Sequence, residues 1–454
     1  MSPSNLVFDL KKEKCYHKTI FKSQRLYGMK RPTFQGGNMK LLVTGAGGRE
    51  HSIVWKLAQN SKVEKIYVCP GNAGCETVSI AENVNLKTID EILVFAKENK
   101  IDLTFLGSEE LAVAGIVDRF AIEGLKVFGP HQAAAMLEGS KAIAKEFMKK
   151  YNVKTAAYET FDDYTKAKTY VEVGEFPVVI KASGLAAGKG VIIAQNLEEA
   201  IDALNDIMLD KKFGDSGNEV VIEEFLEGVE ASILSIYDGE RIIPFVSAKD
   251  HKKIGEKETG LNTGGMGVIA PNPYVTDEVN EAFYKDILNP TLEGLKAEYK
   301  PFAGIIFFGL MINKRGVYLL EYNMRLGDPE TQVVLALMEN DLLELVDKAM
   351  IGKMNEVEVK WANKSACCVV VAAGGYPEDY RKGDLITGLE NVENLVFMAG
   401  VKQENGFKTN GGRVLNVVAL GDTLEEARKN AYTDVDKIKF DGAYSRKDIG
   451  VLYE

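Results

Sequence analysis

The 454-residue chain lacks the features that are typical of nucleic-acid-binding, disulfide-bonded and membrane-spanning proteins. Its formal net charge is −11, which argues against a general nucleic-acid-binding surface. Its five cysteines form no CxxC pair, so we expect reduced thiols in a reducing compartment. The longest apolar runs are too short to span a bilayer, and the N-terminus has no secretory apolar segment. These absences predict a soluble, cytoplasmic protein that binds neither nucleic acid nor membrane.

Residues 1–38 differ from the rest of the chain in charge and in pattern. They hold eight basic residues against two acidic ones, although the whole chain is acidic. Lysine outnumbers arginine there and serine is sparse, which fits a transit peptide poorly. We expect a disordered upstream extension, with Met39 as the natural start of the folded part.

Strand and helix patterns alternate from Met39 onward. A buried strand at residues 40–44 precedes a helix at about 49–59, and the alternation continues to a strand at 126–128. A single helix is expected at residues 111–122. This order predicts a parallel, doubly wound sheet.

The first turn of this predicted sheet, at residues 45–51, is rich in glycine. It approaches GxGxxG, but Glu50 stands at the third glycine position, and no acidic residue ends the second strand. An NAD site is therefore disfavoured. Free N–H groups at a helix start, beside Arg49, suit a phosphate instead, and a tight turn that binds nothing is the alternative. The loops at residues 70–74 and 107–110 would line the same crevice.

A second glycine-rich loop, SGLAAGKG, joins predicted strands at residues 176–182 and 191–194. It resembles a Walker A sequence only superficially, because three residues separate Gly184 from Gly188 and Gly190 follows Lys189. A flexible hairpin that closes over phosphates fits better, with Lys181 placed to reach the same phosphates. In the next strand, at residues 220–226, the backbone suits an adenine edge, and surface acids with no ligand are the alternative.

The stretch GVYLLEYNMRLGDPETQ, residues 316–332, carries a pair of residues suited to a metal. Glu321 and Asn323 are two apart on a predicted strand, so their side chains share a face. Carboxylate and amide oxygens are hard ligands that Mg²⁺ accepts alongside phosphate oxygens. Arg325 follows closely, which indicates a phosphate between the guanidinium and the metal. An edge strand followed by a charged loop is the alternative interpretation.

The chain resembles the glycinamide ribonucleotide synthetase family in an ordered set of motifs that runs from Met39 to the C-terminus: GGREH, PGNAG, GSK, VVIKASGLAAGKGV, VIEEFLEGVE, AKDHK, NTGGMG, EYNMRLGDPETQ, AAGGYP, TNGGRVL and RKDIG. The resemblance implies an α/β fold with a doubly wound parallel sheet domain at residues 39–140, which would bind phosphoribosylamine. ATP-grasp central domains would occupy residues 141–365, with a mobile lid at about 160–228. A small C-terminal α/β domain would occupy residues 366–454.

The resemblance also implies an activity. A carbon–nitrogen ligase of de novo purine biosynthesis would join glycine to 5-phosphoribosylamine through glycyl phosphate, with ATP as co-substrate and Mg²⁺ or Mn²⁺ as metal. Its partners would be these small molecules, and the chain would be a monomer.

The resemblance assigns residues of this chain to each ligand. The ATP site would contain Lys141, Lys181, Ser183, Gly184, Gly188, Lys189, Gly190, Glu223, Glu224, Phe225, Leu226 and Glu230, and the metal would lie on Glu321 and Asn323. The other substrates would be held by Gly47, Gly48, Arg49, Glu50, Asn72, Glu109, Gly264, Gly265, Met266 and Gly267. The catalytic residues would be Lys181, Asp250, Lys252 and Arg325. One departure, GSEE in place of GPE and an apolar pair at residues 107–110, concerns the sugar pocket.

Two other functions remain open. A sister ATP-grasp enzyme, such as the purine-pathway carboxylase or formate-dependent transferase, would keep the ATP residues but use bicarbonate or formate. A nucleotide sensor without catalysis would bind ATP but would not need the glycine and sugar-phosphate loops. The chain offers lysines, an arginine and a metal pair but no obvious Ser-His or Cys-His set, which favours activation by phosphoryl transfer over a covalent nucleophile.

Overall fold

The computed structural model describes residues 37–186 and 189–452 of the chain. The extension expected at residues 1–38 lies outside this part except for Gly37 and Asn38, and Gly188 of the predicted ATP loop lies outside it too. Within the described ranges, none of the helices combines the length and the apolar character needed to cross a membrane.

Five parallel strands form the N-terminal sheet, in the spatial order β3-β2-β1-β4-β5. They are β1 (Met39–Gly45), β2 (Val63–Pro70), β3 (Ala81–Asn83), β4 (Leu103–Leu106) and β5 (Val127–Phe128). The helices between them are α1 (Gly48–Leu57), α2 (Ile89–Glu98), α3 (Glu109–Val113) and α4 (Ile116–Ile122). Successive residues of β1, Leu42 and Val43, are both fully buried although they face opposite sides, as expected of a sheet covered on both faces. The predicted parallel sheet is confirmed.

The helix predicted at residues 111–122 is broken in two. Helix α3 ends at Val113 and α4 begins at Ile116. Between them Gly115 has φ +84°, a left-handed conformation that glycine adopts at little cost. The prediction of one continuous helix is therefore wrong, because the apolar pattern continues across a break that only the glycine signals.

The helices α5 (Gln132–Gly139) and α6 (Lys141–Lys150) lead from this sheet to a smaller antiparallel one. Its strands are β6 (Tyr158–Phe161), β7 (Val178–Ala182), β8 (Val191–Ala194) and β9 (Val220–Glu224), in the order β6-β9-β7-β8. Helices α7 (Tyr164–Glu172) and α8 (Leu197–Leu204) pack on it, and α8 continues as a π-helix at Asn205–Leu209. The buried side chains of this unit form a hydrophobic cluster of their own. The two strands predicted on either side of the glycine loop are confirmed as an antiparallel pair.

A four-stranded antiparallel sheet, in the order β11-β10-β16-β17, forms the centre of the molecule. Its strands are β10 (Val229–Tyr237), β11 (Ile242–Pro244), β16 (Gly304–Asn313) and β17 (Gly316–Asn323). The neighbouring helices are α9 (Asp277–Phe283), α10 (Asn289–Glu298), α11 (Glu330–Leu337) and α12 (Leu342–Met350). Strands β16 and β17 form an antiparallel hairpin, and β17, the strand predicted to carry Glu321 and Asn323, lies at the edge of the sheet.

The last large sheet joins strands from two distant parts of the chain. In the order β12-β15-β18-β22-β19 it combines β12 (Lys249–Asp250) and β15 (Gly267–Ala270) with β18 (Ser365–Ala372), β22 (Arg413–Gly421) and β19 (Leu395–Met398). Two small hairpins, β13 (Lys253–Gly255) with β14 (Thr259–Asn262) and β20 (Val401–Gln403) with β21 (Phe407–Thr409), and helix α13 (Leu424–Val435) complete the fold. The loops that follow β12 and precede β15 are thus held by C-terminal strands.

Candidate active site

A cleft of about 360 Å³ lies between the N-terminal sheet, the central hairpin and the C-terminal strands. Many residues predicted from separate motifs line it together: Arg49, Glu109, Lys141, Lys181, Gly190, Glu223, Asp250, Lys252, Gly264, Glu321, Asn323 and Arg325. The fold therefore gathers into one cavity side chains that are up to about 280 residues apart in sequence, as open α/β sheets gather ligand groups at strand ends.

Other predicted residues are not part of this lining: Gly47, Gly48, Glu50, Asn72, Ser183, Gly184, Lys189, Glu224, Phe225, Leu226, Glu230, Gly265, Met266 and Gly267. Two of them form hydrogen bonds with the backbone of the first glycine turn. The buried Glu50 carboxylate accepts a hydrogen bond from Gly47 N at 2.6 Å. Asn72 Nδ2 donates to the carbonyls of Ala46, at 2.8 Å, and Gly47, at 3.0 Å. That these residues contact a ligand directly stays a prediction.

The predicted metal pair lies on the edge strand β17. Glu321 and Asn323 are opposite Gly309 and Phe307 of β16 and both line the cleft. Burial raises the pKa of Glu321, but the charges of nearby lysines, first among them Lys252, outweigh burial and lower it overall. The carboxylate is therefore ionised at neutral pH.

Glu321 and Asn323 can supply only some of the ligands that a divalent cation needs. Within residues 37–186 and 189–452, no group of three or more His, Cys, Asp or Glu side chains could hold a metal ion. Mg²⁺ in nucleotide sites takes one or two protein oxygens and completes its shell with phosphate oxygens and water. Glu321 and Asn323 suit that arrangement, in which the metal binds together with a nucleotide.

Three lysines gather around one buried carboxylate at the neighbouring end of the cleft. Glu223 Oε1 lies 2.8 Å from Lys181 Nζ and 3.3 Å from Lys145 Nζ. Lys141 Nζ donates to Gly184 O of the glycine loop at 3.3 Å. Burial lowers the pKa of Lys145 to about 8, against the attraction of Glu223. Since two lysines share one carboxylate and Lys141 lines the cleft with them, this end of the cleft suits a phosphate.

A chain of alternating charges runs from the first glycine turn to the end of β17. Arg49 contacts Glu50 at 2.6 Å and Glu109 at 3.8 Å. Glu109 also lies 3.3 Å from Arg325, which lies 3.0 Å from Glu138. Two arginines thus stand close together, and carboxylates keep each of them in place.

Glu138, at the end of α5, is not among the residues predicted from the sequence. Its Oε1 pairs with Arg325, and its Oε2 accepts a hydrogen bond from Met324 N at 2.6 Å. Burial raises the pKa of Glu138 to about 7, while Arg325 opposes that rise. One carboxylate therefore fixes both the guanidinium and the backbone next to Asn323. The only local signal is an acidic residue directly before the GSK motif.

Two buried carboxylates, Asp250 and Glu330, line the opposite wall of the cleft. Asp250 accepts a hydrogen bond from His251 N at 2.7 Å, and Glu330 accepts one from Ser232 Oγ at 3.0 Å. Burial and the charge of Glu330 raise the pKa of Asp250, and burial also raises the pKa of Glu330. Gly265, at φ +109°, passes so close that an added Cβ would lie 2.7 Å from Asp250 Oδ1. A crowded acid pair of this kind suits a small cationic group.

Arg413, in the TNGGRVL motif at the start of β22, also belongs to the site. It lines the cleft, and its Nη1 donates to Asp328 O at 2.8 Å and to Gly264 O. Its Nη2 lies 3.4 Å from the Asp328 carboxylate. The C-terminal part of the chain therefore supplies a residue to the cleft directly.

The small antiparallel sheet of β6 to β9 and the central antiparallel sheet both contribute side chains to the cleft, which is the architecture of an ATP-grasp fold. Three family models match this chain: the N domain of phosphoribosylglycinamide synthetase over residues 39–138, its ATP-grasp (A) domain over 139–331 and its C domain over 366–452. The chain belongs to the phosphoribosylglycinamide synthetase family.

Individual proteins agree with this assignment. A phosphoribosylamine–glycine ligase from Fusobacterium nucleatum is 60% identical over 421 residues, which cover 91% of this chain and 99% of that protein. The crystal structure of a phosphoribosylamine–glycine ligase from Thermotoga maritima is similar with a TM-score of 0.79 at 34% identity, covering 91% of this chain and 100% of that one. A Campylobacter jejuni biotin carboxylase, solved as a β-γ-ATP complex, has a TM-score of 0.69 at 15% identity over 90% of this chain and 93% of its own. It shares the fold.

Replacing Glu138 by glutamine tests the charge chain. The change keeps the shape of the side chain but removes the anion that fixes Arg325, so we expect kcat to fall roughly tenfold to a hundredfold. The KM for ATP should change little, because the lysine cluster lies on other elements. Steady-state kinetics measure both quantities, and the exposed neighbour of Glu109 gives a matched control in Glu110→Gln. A wild-type kcat in Glu138→Gln would show that Arg325 does not depend on this partner.

Proposed function

We propose that this chain catalyses the ATP-dependent ligation of glycine to 5-phosphoribosylamine, which gives glycinamide ribonucleotide, ADP and phosphate. It would do so as a cytoplasmic monomer of de novo purine biosynthesis. The observation that carries the proposal is that one cleft contains a lysine cluster, a Glu–Asn pair, a buried acid pair and the arginine of the glycine turn. Those groups match, in kind, the phosphates, metal, ammonium and sugar phosphate of the reactants.

ATP would lie along the lysine cluster. Lys141 and Lys181 would contact its phosphates under the glycine loop of residues 183–190, and the backbone of residues 223–226 would meet the adenine edge. Glu230 would accept hydrogen bonds from the ribose hydroxyls. In the structure its Oε2 lies 2.7 Å from Lys252 Nζ. Binding of the nucleotide would therefore leave Lys252 facing the cleft with one partner fewer.

Glu321 and Asn323 would hold Mg²⁺ or Mn²⁺ next to these phosphates. The metal, when bound, neutralises phosphate charge during transfer. The chain itself contributes the fixed strand face and a carboxylate that neighbouring lysines keep ionised.

Glycine would bind between the acid pair and Arg325. Asp250 and Glu330 would hold its ammonium group, and Arg325 would attract its carboxylate towards the γ-phosphate. A carboxylate oxygen attacks the γ-phosphorus and ADP leaves, which gives glycyl phosphate. The amine of phosphoribosylamine then attacks the carbonyl carbon, inorganic phosphate leaves and the amine loses a proton.

Phosphoribosylamine would bind at the first glycine turn. The N-terminus of α1 offers partial positive charge at Gly48, although Gly47 N already donates to Glu50, and Arg49 adds a full charge. Glu109, held between Arg49 and Arg325, would accept hydroxyls of the sugar. The amine would then point towards the carbonyl carbon of glycyl phosphate.

The unit at residues 160–228 would act as a lid. Its side chains form a hydrophobic cluster separate from those of the other sheets, so it can move as one body. Closure would carry Lys181 and the glycine loop over the phosphates and shield glycyl phosphate from water. In the same division of the chain into domains, residues 39–140 would bind the sugar phosphate. Residues 366–454 would close the cleft on the side opposite the lid.

The direct test is substrate-dependent release of ADP. We expect release that requires ATP, glycine and phosphoribosylamine together, because each reactant fills a different wall of the cleft. A coupled assay with each reactant omitted in turn measures this requirement. Release supported by bicarbonate or formate in place of glycine would contradict the proposal and favour a sister enzyme, and ATP binding without turnover would favour a sensor.

Heavy-oxygen labelling tests the order of the chemistry. Glycine labelled in its carboxylate should deliver one labelled oxygen to each inorganic phosphate, since the oxygen that attacks phosphorus leaves with it. Mass spectrometry of the phosphate measures the label, and intact-mass analysis of the quenched enzyme is the control for a covalent intermediate. Unlabelled phosphate, or an adduct on this chain, would overturn the mechanism.

Glu321→Ala tests the metal pair. We expect a loss of turnover on the order of a thousandfold with an unchanged melting temperature, because the change removes a charged ligand at an edge strand without opening the core. Assays over a range of Mg²⁺ concentrations measure it, and the exposed Glu358→Ala serves as control. Wild-type activity with the same Mg²⁺ dependence would remove Glu321 from the site.

A further inference from the structure

The RKDIG segment, residues 446–450, has no part in the proposed function, yet it carries a fully buried arginine. We propose that Arg446 is a positioning residue, which holds the hairpin formed by β13 and β14 so that Lys252 and Gly264, on either side of that hairpin, face the substrates. The inference rests on the proposed function for the role of those two residues. Its structural part, that Arg446 orders the hairpin, stands independently.

All three nitrogens of the Arg446 guanidinium are engaged. Nε and Nη2 each donate to one oxygen of Asp448 at 2.8 Å, so the pair is bidentate. Nη2 also donates to Glu258 Oε1 at 2.8 Å, and Nη1 donates to Lys253 O at 2.9 Å. One side chain thus reaches the first strand of the hairpin and its turn at the same time. A planar fork of donors can do this, whereas a lysine ammonium cannot.

The hairpin needs such support because its own contacts are weak. Strand β14 is exposed along its whole length. At the turn, Lys257 and Glu258 both have left-handed backbones, with φ +55° and +56°. Such conformations cost energy in residues other than glycine and persist where surrounding contacts impose them. Asp448 Oδ2 accepts a hydrogen bond from Lys257 N at 2.8 Å, and Arg446 holds the side chain of Glu258.

The base of the hairpin opens directly into the cleft. Thr263 N donates to Lys252 O at 2.8 Å and closes the base. Lys252, Thr263 and Gly264 all line the cleft, and Asp250 lies two residues before Lys252. A displacement of the hairpin would therefore move the wall at which the glycine substrate is proposed to bind.

The RKDIG segment is itself anchored to the C-terminal helix. Tyr432 Oη donates to Arg446 O at 2.7 Å and accepts from Ile449 N at 3.1 Å. Gly450 N donates to His251 Nε2 at 3.1 Å, which fixes the residue between Asp250 and Lys252. Helix α13 is thus the rigid support, and Arg446 transmits its position to the hairpin.

Arg446→Lys is the informative change, because it keeps the buried charge and removes the fork. We expect amide hydrogen exchange in residues 253–262 to accelerate by about tenfold or more, with other regions unchanged. In the ADP-release assay, kcat/KM for glycine should fall roughly tenfold to a hundredfold, while the KM for ATP stays within about twofold. Arg381→Lys, which alters an exposed arginine paired with Asp384 and Asp441 in the same C-terminal region, is the matched control and should change neither quantity.

A second variant covers the case in which Arg446→Lys fails to fold. Glu258 is partly exposed at the turn, so Glu258→Gln removes the charge from one partner of Arg446 without disturbing the core. It should show the same two effects in weaker form, and the double variant should be less than additive because both changes weaken the same contact. Unchanged exchange in Glu258→Gln, or faster exchange with unchanged kcat/KM for glycine, would overturn the proposal. Wild-type protein without glycine-dependent ADP release would instead refute the proposed function and leave the exchange result valid.

Discussion

The need to pair one largely buried cation, Arg325, whose side chain is 18% exposed, organises the centre of this molecule. Its guanidinium lies at the end of the strand that carries Glu321 and Asn323, where an uncompensated charge would be costly. Glu109, at the start of α3 beside the N-terminal sheet, and Glu138, in α5, both pair with it. Buried ion pairs add little net stability, but they fix geometry, because either partner alone would be strongly unfavourable. The N-terminal sheet and the central sheet are therefore held in one relative position at the cleft.

The same balance explains how an acidic protein can bind polyanions. The cleft places seven cationic side chains among seven carboxylates: Arg49, Lys141, Lys145, Lys181, Lys252, Arg325 and Arg413 among Glu109, Glu138, Glu223, Asp250, Glu321, Asp328 and Glu330. Six of these cations pair with a carboxylate of the chain, and Lys141 donates to Gly184 O. In the proposed function, an incoming phosphate or carboxylate would replace such a carboxylate, which would cost little rearrangement because the donors are already oriented. Selectivity follows from local geometry, since the net charge of −11 offers no attraction of its own.

Local sequence patterns predict the secondary structure of this chain well. They predict poorly which side chains that are far apart in sequence contact each other. The alternation in β17 placed Glu321 and Asn323 on one face, and the flanking β-branched runs predicted the strands around the glycine loop, since side-chain direction follows from the strand period alone. The break at Gly115 escaped detection because the apolar period continues across it. The part played by Glu138 depends on an arginine almost two hundred residues away, and no local period reports such a contact. The family resemblance indicated which ligands the site residues would bind, and the structure shows which side chains those residues contact.

The sheet shared between the middle and the end of the chain sets an order of assembly. Strand β15 hydrogen-bonds β18 about a hundred residues later, and the segment near Asp250 is closed by Gly450. During synthesis the N-terminal sheet and the central hairpin can form early, since domains fold as they emerge. The wall with Asp250 and Lys252 must wait until residues 365–450 have been synthesised, because they supply β18 and the bond from Gly450. A nascent chain can thus form its lysine cluster before the cleft is complete, and a chain terminated before β18 would lack the strand that supports β15.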